Sequence, residues 1–426
     1  MDIREETPAG EALGAGRRPG AAVRFNPFSA EFRRDPYPLY RQLREASPVH
    51  RTMGMWVLTR YADVQDALRS PSFSADLIPQ LVSRQASRLA ERDVGRIERL
   101  ARKSLVFTDN PDHARLRALV NRAFTGPAVE QLRRRIGEVV ERLVRRAWDG
   151  GGMDVIADLA TPLPIEVMCD WMALPHDLRE HVGGWTHDIR FLLEPGLMKG
   201  EDFAHVCDVV EAFYGALDEV VEQRRSRPGD DLISRLLAAE TGGGDRLSRE
   251  ELVFVCLMCF IAGNETTTSL IGNGLLALLS HPEQDALLHD RPQLARSAVD
   301  EILRYDCPLQ LTKRVATSDV RIDGETVREG DQVLLCLAAA NRDPAVFDRP
   351  DELDIARDAR RHLALGHGMH GCLGGTLAKV QTEVVLEQLY ARAERLELLA
   401  TRPEWQDRSF IVRGLKQLPV AVRGSR

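Results

Sequence analysis

One stretch limits the fold of this chain more than any other. Residues 252–262 read "LVFVCLMCFIA" and run without a break into "GNETTTSL". The run is apolar all round, which is the pattern of a helix buried on every side. At eleven residues it is too short to cross a bilayer. The chain must therefore supply a body of structure large enough to enclose it. Other segments supply that body. "AVEQLRRRIGEVVERLVRRAW" and "DVVEAFYGALDEVVEQRRS" place apolar residues at three- and four-residue spacings, the mark of amphipathic helices. Strand signals are few and local. "SPVHRTMGMWVLTRY" has β-rich flanks around Gly54, and "SDVRIDGETVREGDQVLLCL" carries an Asp323–Gly324 hairpin signal. Residues 341–357, rich in Pro and Asp, read as a long ordered loop. The expected class is predominantly α with small β-sheets (α+β), and no alternating βα run is visible.

Composition narrows the function. The formal charge is −7, without the basic stripe of a nucleic-acid binder. Residues 1–25 are polar, small and Gly/Ala-rich and lack the apolar core of a signal peptide, so they read as a disordered leader, with residues 26–426 as one domain. A soluble, cytoplasmic protein with no membrane anchor is expected. Seven cysteines at irregular spacing in a long chain point to a reduced protein rather than a disulfide scaffold. Cys256 and Cys259 form a CxxC, but inside the apolar run they read as core packing.

The chemistry concentrates in "LGHGMHGCLGG", residues 365–375. Gly366, Gly368 and Gly371 spell GxGxxG, yet a dinucleotide site needs a strand before it and a βαβ unit around it. "HLAL" is a poor strand. A structural zinc site wants four ligands, and His370-x-Cys372 offers two. A cysteine nucleophile could use His370 as its base, but that leaves the glycines unexplained. A large flat cofactor ligated by Cys372 explains them, because glycine lets backbone approach the cofactor face. Cys372 would sit at the mouth of a helix beginning near Leu373, where free amides favour a thiolate. A second anomaly lies in the apolar helix. Gly263 costs about 1 kcal/mol there relative to Ala, and a buried Glu265 needs a reason. The plain alternative is that "NETTT" marks an exposed helical turn.

The cysteine loop resembles the haem-binding loop of the cytochrome P450 family, F-G-x-G-x-H-x-C-x-G-x-x-L-A-R, through Leu365, Gly366, Gly368, His370, Cys372, Gly374, Leu377 and Ala378. Leu365 stands where the family has Phe, and Lys379 where it has Arg. Three further motifs follow the family's order. "AGNET" resembles the central-helix pattern at Ala262, Gly263, Asn264, Glu265 and Thr266. Glu301 and Arg304 match the family's ExxR structural pair, with its third partner unassigned. "DNPDHARLR" resembles D-P-P-D-H-x-R-x-R, with Asn110 for the first Pro. The resemblance runs from about residue 26 to the C-terminus and implies a helical lobe beside a smaller β-rich lobe.

It also implies haem b held by Cys372, with His113, Arg117 and Arg314 on its propionates and Ala262, Gly263, Gly366, His370 and Gly374 around it. The implied reaction is a monooxygenation that places one atom of O₂ in a C–H or C=C bond of a mainly hydrophobic small molecule, with Glu265 and Thr266 passing protons to the reacting oxygen. Tailoring of a specialised metabolite is the expected setting, with room for a substrate held on a carrier protein. Electrons would come from a ferredoxin and its NAD(P)H-dependent reductase, with Arg115, Arg122, Arg361 and Lys379 as candidate basic contacts. The substrate-facing segments implied are residues 78–107, "DIRFLLEPGLM", Phe260 with Ala262, Leu309 with Leu311, and Phe410 with Ile411. Two competitors remain: a haem-thiolate protein that uses peroxide or couples radicals, and a haem sensor or carrier without turnover.

Overall fold

A computed structural model of the chain describes residues 23–87, 94–148, 152–194, 198–399, 402–407 and 409–425. Residues 1–22 of the expected leader lie outside it. Within residues 23–25, Phe25 is already buried, edge-on to Phe32 at 5.6 Å.

The apolar run is the first third of a 31-residue helix, Arg249–Leu279. Ser248 starts it: its hydroxyl accepts from the Glu251 amide, and the Glu251 carboxylate accepts from the Ser248 amide. By length and composition this helix could cross a membrane, but most of its apolar residues are buried inside the fold. It packs against the helices Gly200–Ser226, Pro162–Trp171 and Gly375–Arg392. "NETTT" is no exposed turn. Residues 264–266 are half-buried, Thr267 and Thr268 are buried, and the Thr268 hydroxyl donates to the Ala160 carbonyl at 2.9 Å.

The strand signals also hold. Val49–Thr52 and Met55–Leu58 pair antiparallel across Met53 and Gly54. They open a five-stranded sheet in the order Val49–Thr52, Met55–Leu58, Gln332–Cys336, Leu311–Ala316, Phe73–Ser74. Among the described residues its one parallel pair, Met55–Leu58 with Gln332–Cys336, is joined by most of the chain rather than by a single helix, so this is no βαβ unit. Asp323 and Gly324, at φ of 49° and 85°, turn the hairpin between Val320–Ile322 and Glu325–Val327. A three-stranded sheet joins Gly152–Asp154, Pro419–Ser425 and Ala393–Leu398. Two buried apolar clusters result. The larger surrounds the central helix, and the smaller lies under the five-stranded sheet.

After the short helix Leu337–Ala340 the chain runs without helix or strand to residue 367. This is the expected ordered loop, and it leads directly into the cysteine segment.

Candidate functional site

The ordered loop is fixed by charge. Glu301 and Arg304, on the helix Ala295–Tyr305, are both fully buried. The Arg304 fork donates to both Glu301 oxygens at 2.7 and 2.8 Å. Its remaining donors reach the carbonyls of Asn341, Pro350 and Glu352 at 3.2, 2.6 and 2.9 Å. The third partner, unassigned in the sequence, is Arg357, whose Nε donates to Glu301 Oε1 at 3.2 Å. Asn341 carries the order onward: its side-chain oxygen accepts from the Leu363 amide at 2.6 Å. The Leu363 carbonyl then accepts from Gly366, and the Leu365 carbonyl from Cys372, at 2.9 and 2.7 Å. The pair therefore sets the cysteine loop through a short hydrogen-bonded relay.

The helix after the loop is Gly375–Arg392, beginning two residues later than expected. Cys372 still lies beside its open end, where the Gly374 and Gly375 amides favour the thiolate. Cys372 is exposed, yet the protein packed around it pushes the thiol up, against the pull of those amides and of Arg117. The glycines divide by role. Gly366 and Gly368 both have φ of 71°, so the turn itself requires them. A Cβ on Gly374 would meet no protein atom within 4 Å, nor would one on Gly263 of the central helix. Among the described residues no set of three or more His, Cys, Asp or Glu could hold a metal ion, so zinc is not supported.

One cavity of about 370 Å³ collects the expected residues. Cys372, His370, Gly366 and Gly374 line it from the loop, Ala262, Gly263 and Thr266 from the central helix, His113 and Arg117 from the helix Asp112–Asn121, and Arg314 from its strand. Glu265 is the exception. It is half-buried outside the lining, and its carboxyl is raised by burial and the nearby Glu194, with Arg190 acting the other way.

Three polar groups on this wall, Arg314, Arg117 and His113, are short of partners. Arg314 is buried, its side chain donates only to Thr312 Oγ1 and the Lys313 carbonyl, and burial lowers it to about 10. Neither it nor Arg117 has a carboxylate within 4 Å among the described residues. His113 is buried with Nε2 unpartnered. His370, 4.4 Å from His113 ring to ring, is held down to about 4 by burial and by the Arg314 and His113 charges, with Asp109 opposing. A thiol, two guanidinium groups and an unsatisfied imidazole around a slot bounded by two bare glycines fit a flat metallated group with two carboxylates. Haem is such a group.

The substrate-facing expectations hold in part. Residues 103–107, Ala262, Leu309, Leu311 and Ile411 line the cavity. Phe260 and Phe410 do not. Phe260 is 1% exposed and packs on Phe213 at 5.3 Å, because the cavity face of the helix runs through 255, 258, 259, 262, 263, 266 and 270. Cys259, read as core, is on that face; its thiol is raised to about 12 by burial. That face was legible from the three- and four-residue spacing of Thr266. Residues 195–197 of "DIRFLLEPGLM" lie outside the described residues. Of the candidate basic contacts, Arg115 is taken by Asp245 and Glu251, and Lys379 by Asp300 at 2.7 Å. Arg122 and Arg361 stay exposed, with no side-chain ion pair among the described residues.

Residues 191–394 match the family model described as Cytochrome P450. A vitamin D(3) 25-hydroxylase from Pseudonocardia autotrophica is 37% identical, over 93% of this chain and 96% of its own. The 6-deoxyerythronolide B hydroxylase of Saccharopolyspora erythraea is 35% identical, over 93% of this chain and 98% of its own. Among solved structures, CalO2 superposes with a TM-score of 0.86 at 34% identity, covering 94% of this chain and 99% of that one. P450BioI, solved in complex with an acyl carrier protein ligated to hexadec-9Z-enoic acid, gives a TM-score of 0.82 at 32% identity, covering 92% and 99%.

Proposed function

The chain belongs to the cytochrome P450 family and is a haem-thiolate monooxygenase, and on that premise we propose how its residues divide the work. Haem, when bound, supplies the dioxygen chemistry, with a thiolate ligand pushing electron density toward O–O cleavage. Cys372 is the ligand. It is open to the cavity, and because the ligand is the thiolate, metal binding and loss of the thiol proton go together. Arg117, Arg314 and His113 hold the two propionates. The observation that carries this reading is that, among the described residues, neither guanidinium has a carboxylate within 4 Å and His113 Nε2 has no partner.

Thr266 lines the cavity with its hydroxyl donating to the Ala262 carbonyl at 2.9 Å, so its oxygen can accept a hydrogen bond from the cavity and, on rotating, donate one there. Glu265 stands behind the wall as the proton reserve. Its raised carboxyl holds a proton to higher pH than an exposed one. The apolar lining excludes water and selects a mainly hydrophobic molecule. The two hydroxylases named above act on vitamin D3 and 6-deoxyerythronolide B, which supports a metabolite-tailoring reaction here. A neighbour crystallised with a loaded carrier protein supports tethered delivery as a second mode. A ferredoxin and its NAD(P)H-dependent reductase supply electrons to this cytoplasmic enzyme, with Arg122 and Arg361 as the two of the four candidate contacts that have no ion pair among the described residues.

The test is the reduced carbon monoxide spectrum. The wild type should show the red-shifted Soret band of thiolate ligation, and Cys372→Ser should lose it while retaining haem. A wild-type band without the shift removes Cys372 from the ligand role. Thr266→Ala should uncouple NAD(P)H consumption from product, where a peroxide-driven enzyme or a sensor would be indifferent.

A further inference from the structure

The cavity carries one charge that haem binding does not explain. On the proposed reading, His113, Arg117, Arg314 and His370 gather at the cofactor's edge. Lys103, also in the lining, pairs with Glu250 at 2.9 Å. Lys313 lines the same cavity and has no carboxylate within 4 Å among the described residues. It precedes Arg314 on the strand Leu311–Ala316, and successive side chains of a strand point to opposite faces. The Lys313 and Arg314 side chains therefore leave the strand on opposite faces. The Lys313 ammonium lies 4.7 Å from the ring centroid of Phe410, next to the cavity-lining Ile411. The acid that acts on it, Glu194, lies beyond 4 Å; its Oε2 accepts from the Ser409 hydroxyl, and its Oε1 has no hydrogen-bond partner among the described residues. Burial lowers the Lys313 ammonium, and Glu194 only partly offsets this.

A lysine has three donors and no acceptor. Here those donors meet an aromatic ring and make no hydrogen bond among the described residues, with the Glu194 carboxylate beyond ion-pair distance, at a cost that a bound acceptor would remove. We infer that Lys313 is a specificity residue, and that the substrate is an apolar molecule bearing an oxygen acceptor, a carbonyl or a carboxylate, that docks on it. The inference rests on the cavity being the haem and substrate site. A built donor discriminates better than apolar fit does, because the analogue without the acceptor leaves the donor unpaired.

Three probes of one shape test it: 5-phenylpentanoic acid, the matching methyl ketone, and pentylbenzene. Binding to the haem-loaded enzyme is read by the ferric spin-state shift and, independently of iron, by calorimetry. The acid or the ketone should bind about ten- to a hundred-fold more tightly than pentylbenzene. The tighter of the two identifies a charged or a neutral acceptor. Lys313→Met should bring all three within about two-fold of one another, and Lys313→Arg should keep the preference. Equal affinities in the wild type, or a preference that survives Lys313→Met, overturns the inference. An unshifted carbon monoxide band with the acceptor preference intact in calorimetry would sink the ligand assignment and leave Lys313 standing. A normal band with equal affinities would do the reverse. The same band in Lys313→Met confirms that the variant is folded and loaded.

Discussion

Replacing Arg304 with Lys keeps the charge and removes the fork. Arg304 serves five acceptor atoms: both oxygens of Glu301 and the carbonyls of Asn341, Pro350 and Glu352. An ammonium has three donors on one nitrogen, so at least two of those acceptors lose their partner. Glu301 Oε1 keeps donors from Arg357 and the Asp354 amide, so the orphaned groups are chiefly carbonyls. At about 1–3 kcal/mol for each buried unsatisfied group, Arg304→Lys should cost about 2–6 kcal/mol. That is a large share of a typical stability of about 5–15 kcal/mol. Urea unfolding followed by tryptophan fluorescence measures it, with haem content measured on the same samples. The relay through Asn341 and Leu363 makes a second demand: the surviving holoenzyme should show part of its carbon monoxide complex without the thiolate red shift. A loss below about 1 kcal/mol with an unaltered band would refute the idea that this arginine ties the loop. Arg357→Gln, which removes one bond to Glu301 and two to the carbonyls of Asp348 and Arg349, should fold and cost about 1–3 kcal/mol.

Three further outcomes are expected. Thr266→Ala should lower product formed per NAD(P)H, with the rate of the productive step down by about 10²-fold, and Thr266→Ser should restore it. Gly414→Ala should destabilise the fold by about 1–3 kcal/mol, because its Cβ would fall 2.3 Å from Ser269 Oγ. Adding Ser269→Gly should recover much of the loss in a thermal melt. Glu265 sets a pH dependence. Its folded carboxyl is raised above the unfolded value, so between the two the native state binds more protons and stability falls as pH rises. Glu265→Gln removes that slope, so its urea midpoint should gain on the wild type from pH 4 to pH 7.5. A constant difference across that range would show that the carboxyl is not strained by burial.

What could be read from the sequence, and what could not, follows from the distance over which each group acts. The cysteine loop, "AGNET" and Glu301–Arg304 are local: each lies within one short stretch of eleven residues or fewer, and its spacing carries its geometry. Arg357 and Asn341 are not. Each lies in a loop without periodicity, and each acts on a partner more than twenty residues away. Arg115 failed as a docking contact for the same reason, since the carboxylates that claim it are more than a hundred positions distant.

Phe260 failed differently, because hydrophobicity alone does not separate a wall from a core. Its helix is apolar all round, and only the phase set by Thr266 tells which face is open. Lys313 reverses that case. In the sequence it is an unremarked charge beside an arginine with an assigned role. The strand's alternation turns the two side chains to opposite faces, and each finds the cavity without a carboxylate. Two neighbouring cations can thus serve different ligands. If Arg314 meets the cofactor, Lys313 is left to meet the molecule the cofactor oxidises, and the pocket's one unexplained charge becomes its best clue to that molecule.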